Sequence, residues 1–98
     1  MPISPMKYTP KRYEILNAIA HWKLKSVANT AWKRLDAPDH HNIAVLCGHG
    51  YHAADWAHST LRQLEAAGYI EVASVRLGAR TWKITKRGAE VLAKWKLV

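Results

Sequence analysis

Cysteine occurs once in 98 residues, as Cys47, which excludes an intramolecular disulfide scaffold and is compatible with a reducing cytosol. Acidic residues are scarce. Seven Asp plus Glu stand against fifteen Lys plus Arg, a net charge of +8 with a pI near 9.9. On so small a body that excess favours a polyanionic partner, nucleic acid before an anionic membrane surface. No apolar run approaches the ~20 residues of a membrane span, and residues 1–9 lack a signal-peptide core. A cytoplasmic protein with no membrane attachment is therefore expected, nucleoid-associated if it binds DNA. Internal repeats and low-complexity stretches are also missing. The seven acids are scattered, and neither a Gly-rich phosphate loop nor a nucleophile elbow is present, so no enzyme and no cofactor are expected. What remains is an ordinary globular composition, 49% hydrophobic and 22% charged, which argues against disorder. The length has room for one domain.

Residues 1–8 carry Pro2 and Pro5 without a period and read as a flexible arm that includes Lys7, followed by a single domain over 9–98. Thr9 and Pro10 form a helix start, a hydroxyl cap followed by proline at the first helical position. Tyr13, Leu16, Ile19 and Ala20 follow at helical spacing. Residues 21–35 read either as helix, from Leu24, Val27, Ala31 and Leu35, or as a hairpin, from the alternation at 22–25. The cluster Asp36, Ala37, Pro38, Asp39 ends whatever precedes it. Asn42 is placed to cap a short helix with Ile43, Leu46 and Cys47 inward, and Gly48 and Gly50 break that helix into a turn. A longer helix sets Ala54, Ala57, Leu61 and Leu64 on one face and stops at Gly68. An extended segment from Tyr69 to Val72, a turn at Leu77, Gly78 and Ala79, and alternation from Arg80 to Thr85 predict a hairpin. Thr85 then caps a final helix with Val91, Leu92 and Trp95 inward and Lys94 and Lys96 at its cation-favouring end.

Helix, short helix, turn, longer helix, hairpin, helix is the order of a winged helix-turn-helix domain. Two segments carry that resemblance, to the MarR-like and related bacterial or phage regulators. Residues 60–70, TLRQLEAAGYI, resemble the end of a recognition helix running into the first wing strand. Leu61 and Leu64 match the family's inward leucine pair, and Gly68 its terminating glycine. Residues 82–88, WKITKRG, resemble the second wing strand leading into a threonine-capped helix. The match covers residues 60–98 well, is loose over 42–59 and does not extend to 21–41. The resemblance implies a mostly helical α+β fold with a C-terminal β-hairpin wing and a final helix. It further implies double-stranded DNA as partner, a recognition helix over about 53–67 in the major groove and a wing over about 69–85 on the backbone. Regulators of this size usually act as homodimers, so two half-sites about 34 Å apart are expected.

A helix fits the major groove, where base edges carry the full donor and acceptor code, and a wing turn brings cations to phosphate. The candidates on the helix are Arg62 first, then His58 and Ser59, with Gln63. Those on and after the wing are Arg76, Arg80, Lys83, Lys86 and Arg87. The first half of the reading helix departs from the family's pattern. Residues 53–58, AADWAH, hold no Arg, Lys, Asn or Gln, and Asp55 would repel phosphate. That departure motivates an alternative: a winged-helix interaction module that binds and modulates another protein through Trp56, with Trp32 a second aromatic for such a surface and Trp82 and Trp95 core. Five of the six histidines fall between His40 and His58. Cys47, His49 and His52 are close enough for zinc, yet one sulfur with mobile glycine neighbours defines no tetrahedral site, and no metal is expected. A pH-sensitive or DNA-facing histidine set is the other reading of the cluster, beside plain surface histidines.

Overall fold

The computed structural model describes residues 6–23, 35–50, 55–76 and 78–97. These form a small α+β domain with four helices and one antiparallel hairpin. The order is α1 (Pro10–Ala20), α2 (His40–Leu46), α3 (Asp55–Ala66), β1 (Ile70–Arg76), β2 (Ala79–Ile84) and α4 (Lys86–Trp95). Residues 24–34, where helix and hairpin were both open, lie outside the described residues, as do Trp32, His52, Ala53, Ala54 and Leu77. Among the described residues no helix is long and apolar enough to cross a membrane.

Thr9 caps α1 as its chemistry predicts: its hydroxyl accepts from the Arg12 N–H at 3.1 Å, and Pro10 occupies the first turn. The inward face is Ile15, Leu16, Ala18 and Ile19, wider than the spacing of Leu16 and Ile19 alone indicated. Ahead of the helix, the Met6 N–H donates to the Tyr69 Oη, and Tyr8 meets Trp95 edge-on.

The cap of α2 differs from expectation. Asp39, not Asn42, is the N-cap, and α2 therefore starts at His40. The Asp39 carboxylate accepts from the Asn42 N–H at 3.0 Å, while the Asn42 Oδ1 accepts from the Asp39 N–H at 3.0 Å. This reciprocal box satisfies two donors where a single Asn cap would satisfy one. Ile43 and Ala44 are fully buried, whereas Leu46 and Cys47 are only half-buried.

Helix α3 buries Ala57, Thr60, Leu61 and Leu64. Gly68, at φ +80°, ends it: the Gly68 N–H donates to the Glu65 carbonyl and the Tyr69 N–H to the Leu64 carbonyl. That pair of bonds needs a left-handed residue, which a side chain would oppose. In the hairpin, Ile70 faces Ile84 and Val72 faces Trp82, with an irregularity between Val72 and Ser74 and Gly78 at φ +81° in the turn. The Trp82 N–H donates across to the Pro38 carbonyl, so the loop before α2 is tied to the outer edge of β2. One core gathers Ile15, Leu16, Ile19, Ile43, Leu61, Leu64, Ile70, Trp82, Leu92 and Trp95. Each such side chain contributes roughly 1.5–3 kcal/mol by leaving water. The two expected core tryptophans, Trp82 and Trp95, are both in it.

Candidate functional site

The hairpin is held against the end of α3 at a partly buried point. The Thr85 hydroxyl donates to the Gly68 carbonyl at 2.6 Å and accepts from the Gly88 N–H at 3.0 Å. The Thr85 N–H also donates to the Tyr69 carbonyl. One threonine thus caps α4 and takes up a free carbonyl at the end of α3. Gly88 is packed so closely that a Cβ there would collide with the Tyr69 carbonyl oxygen and stand 2.9 Å from Ile84 Cγ1. The two segments singled out in the sequence, 60–70 and 82–88, are therefore one interlocked unit, and this sets how the hairpin leaves α3.

At the other end of the hairpin the structure opens a cavity of about 190 Å³. His40, His58, Arg62, Gly78, Ala79, Arg80 and Trp82 line it. His58 and Arg62 stand one turn apart on the exposed face of α3, which is the geometry of an i, i+4 pair. Arg80 enters from β2 and His40 from the first turn of α2. Among the described residues no carboxylate lines this space. Arg80 reaches Glu65 at 3.9 Å with 60% of its side chain exposed, an ion pair of small worth that a competing anion replaces easily.

Three imidazoles meet on this side. The His40 and His41 ring centroids are 4.3 Å apart, and His40 and His58 are 5.8 Å apart, edge to face. Burial and the neighbouring His41 hold the His40 imidazole below its ordinary value. His58 acts in the same direction, while Asp39 and Asp55 oppose it. His40 was expected here only as a member of the histidine cluster read as pH-sensitive or DNA-facing, not as a DNA contact in its own right. The Asp39–Asn42 box was the available signal, because it sets the start of α2 and so the position of residue 40.

The other candidates do not converge on this cavity. Ser59 is exposed on α3 beside His58. Gln63 turns toward α1, where its Oε1 accepts from Arg12 Nη2 at 3.4 Å. Lys83 is paired with Glu71 across the hairpin at 3.3 Å. Lys86 and Arg87 are exposed on the first turn of α4, at the locked end, where Arg87 lies over Gly68. Arg76 ends β1 opposite Ala79, and its side chain lies outside the described residues.

Of the zinc candidates, His52 lies outside the described residues. Cys47 is the half-buried C-cap of α2. His49 is stacked on the Trp56 ring at 4.0 Å, and Lys11 Nζ sits 5.0 Å from the centre of the same ring. Among the described residues no group of three His, Cys, Asp or Glu side chains is placed to hold a metal ion. Trp56 itself is half-buried, in contact with the core. Compared with known proteins, the chain matches no family model, no curated protein and no solved structure.

Proposed function

We infer that the chain is a winged helix-turn-helix protein that binds double-stranded DNA, a small regulator of bacterial or phage type. In this reading α3 enters the major groove and the hairpin rests on the adjacent backbone. The observation that carries it is the cleft between α3 and the hairpin tip, into which His58, Arg62 and Arg80 open together with no carboxylate among the described residues lining it. An α-helix about 10–12 Å across fits a groove about 12 Å wide. Arg62 is then the first base-reading residue, because its planar fork matches the two acceptors of guanine. His58 and Ser59 are secondary readers on the same exposed face. Arg80 contacts phosphate from the wing. Lys86 and Arg87 lie at the far end of α3 and extend the phosphate track, and the net charge of +8 supports binding along it.

Two copies would present two α3 helices to half-sites one helical turn, about 34 Å, apart. Sedimentation of the chain alone and with duplex tests that arrangement: a strictly monomeric 1:1 complex removes it. The competing reading, a protein-binding surface at Trp56, is less favoured. The Trp56 ring is half-buried and already covered by His49 and Lys11, which leaves little free aromatic surface. Gel shifts with random and genomic duplexes at ~50 mM and ~200 mM salt test the DNA reading directly. Salt-sensitive binding is expected, and an absence of any duplex binding at the lower salt ends it.

A further inference from the structure

We propose that the cavity between α2, α3 and the hairpin tip is a binding site for one tetrahedral phosphate group, and that His40 takes up a proton as the group enters. Four cationic or protonatable side chains converge on the cavity: His40, His58, Arg62 and Arg80. Its volume of about 190 Å³ compares with ~30 Å³ for a water molecule and with ~300 Å³ for the smallest usual organic-ligand pockets. It admits a phosphate-sized group. Guanidinium groups suit that guest, since each presents a planar fork to two phosphate oxygens; on DNA, Arg80 keeps the phosphate and Arg62 turns to the base edge. Gly78 and Ala79 at the tip leave the entrance low, and Gly78 has open space around it.

His40 gives the site its pH dependence. Burial, and then the nearby His41 and His58 rings, oppose a positive charge on His40, so His40 holds its proton loosely in the free site. The groups facing His40 are Asp39 and His41 from α2, and Asp55 and His58 from α3. Arg62 from α3 and Arg80 from the hairpin share its cavity, and Glu65 stands behind Arg80. The two aspartates only partly offset the cations. A bound anion adds the missing negative charge, so protonation and anion binding favour each other, and by reciprocity acid strengthens anion binding. The phosphate has two sources, a DNA phosphodiester or a small phosphate compound. Only the first rests on the DNA reading.

The test uses the full chain, long-range imidazole NMR spectra, and two probes whose charge stays constant between pH ~7.5 and ~5.5: inorganic sulfate and a short DNA duplex. Sulfate is expected to shift the His40 and His58 resonances and to raise the titration midpoint of His40. Its affinity is expected to rise about tenfold over that range, the order of change one coupled proton produces. Arg62→Ala, at an exposed position, is expected to weaken sulfate binding at least fivefold, whereas Lys94→Ala removes the same charge from exposed α4 without effect. His40→Gln, at a half-exposed position, is expected to flatten the pH dependence without unfolding the chain. If sulfate and duplex both bind in this way, the phosphate comes from DNA. If sulfate alone binds, the site serves a small phosphate compound and the DNA reading fails while this one stands. Sulfate binding that ignores pH, or that survives Arg62→Ala unchanged, overturns the proposal even where duplex binding persists.

Discussion

The two ends of the hairpin solve opposite problems. At the inner end, Thr85, Gly68, Gly88 and Tyr69 form a partly buried knot in which the Thr85 hydroxyl both donates and accepts. At the outer end, Arg80 and Gly78 face solvent, and the cations there are held only by a long ion pair to Glu65. The knot contributes stability because every polar group in it has a partner within hydrogen-bonding distance. The open end contributes little stability, and its loosely held charge is what remains for a ligand. Stability and binding are thus separated along one hairpin, and substitutions at the two ends should behave differently.

The largest effect belongs to the knot. Gly88→Ala drives a methyl group into the Tyr69 carbonyl, an atom of the backbone that cannot swing aside. It should cost about 3 kcal/mol in urea unfolding. An unchanged unfolding midpoint would break the comparison. Thr85→Ala removes the α4 cap and leaves the Gly68 carbonyl without its donor, for a loss of about 2 kcal/mol. Thr85→Ser keeps the hydroxyl and should recover most of that loss, which separates the hydrogen bonds from the packing of the methyl group.

At the open end the readout moves from stability to affinity. Arg62→Ala should leave the melting temperature within a degree or so and weaken binding to a selected duplex about tenfold, with a smaller loss on random DNA. Arg80→Ala should weaken both duplexes alike and reduce the salt slope by about one. Equal losses on both duplexes for Arg62→Ala would reassign it from base reading to phosphate contact.

Acid acts on the open end as well, and the sign follows from His40. Its folded-state value is held below the ordinary 6.5, so below that pH the unfolded chain binds the extra proton more readily. Stability from this group is present above pH 6.5 and is lost as pH falls toward the folded-state value. Melting temperature should therefore drop by a few degrees between pH ~7 and ~5.5, less in His40→Gln, and sulfate should recover part of the drop. The smallest effect is expected for Lys83→Ala. Its pair with Glu71 is more than half exposed at both ends and should contribute under ~0.5 kcal/mol.

Much of this architecture is readable one turn at a time. Thr9 with Pro10, Gly68 after Leu64, and Thr85 before Gly88 each act through hydrogen bonds spanning three to five residues, so their local sequence suffices. The Asn42 cap failed on the same scale, because Asp39 and Asn42 are both competent caps and only their reciprocal bonding selects the earlier one. The candidate face was readable only in part. His58, Arg62 and Arg80 were picked from sequence and do share a cavity, but Gln63 and Lys83 were picked on the same grounds and are engaged by Arg12 and Glu71. Nothing in residue type separates Arg80 from Lys83, since both lie on β2 and both have an acid within 4 Å.

The sequence by itself determined most of the described elements, the Thr9 and Thr85 caps, the Gly68 stop, and a surplus of positive charge. These follow from backbone chemistry within a few residues and from composition. Which charges stand free was decided only by the tertiary structure, because it depends on what the neighbouring element brings within a few ångström. His40 shows the reason most clearly. It meets His58 across eighteen positions of chain, and Arg62 and Arg80 share its cavity from two different elements. Side-chain spacing along one helix or strand carries no information about such a meeting. Packing of α2 against α3 and the lock at Thr85 create it.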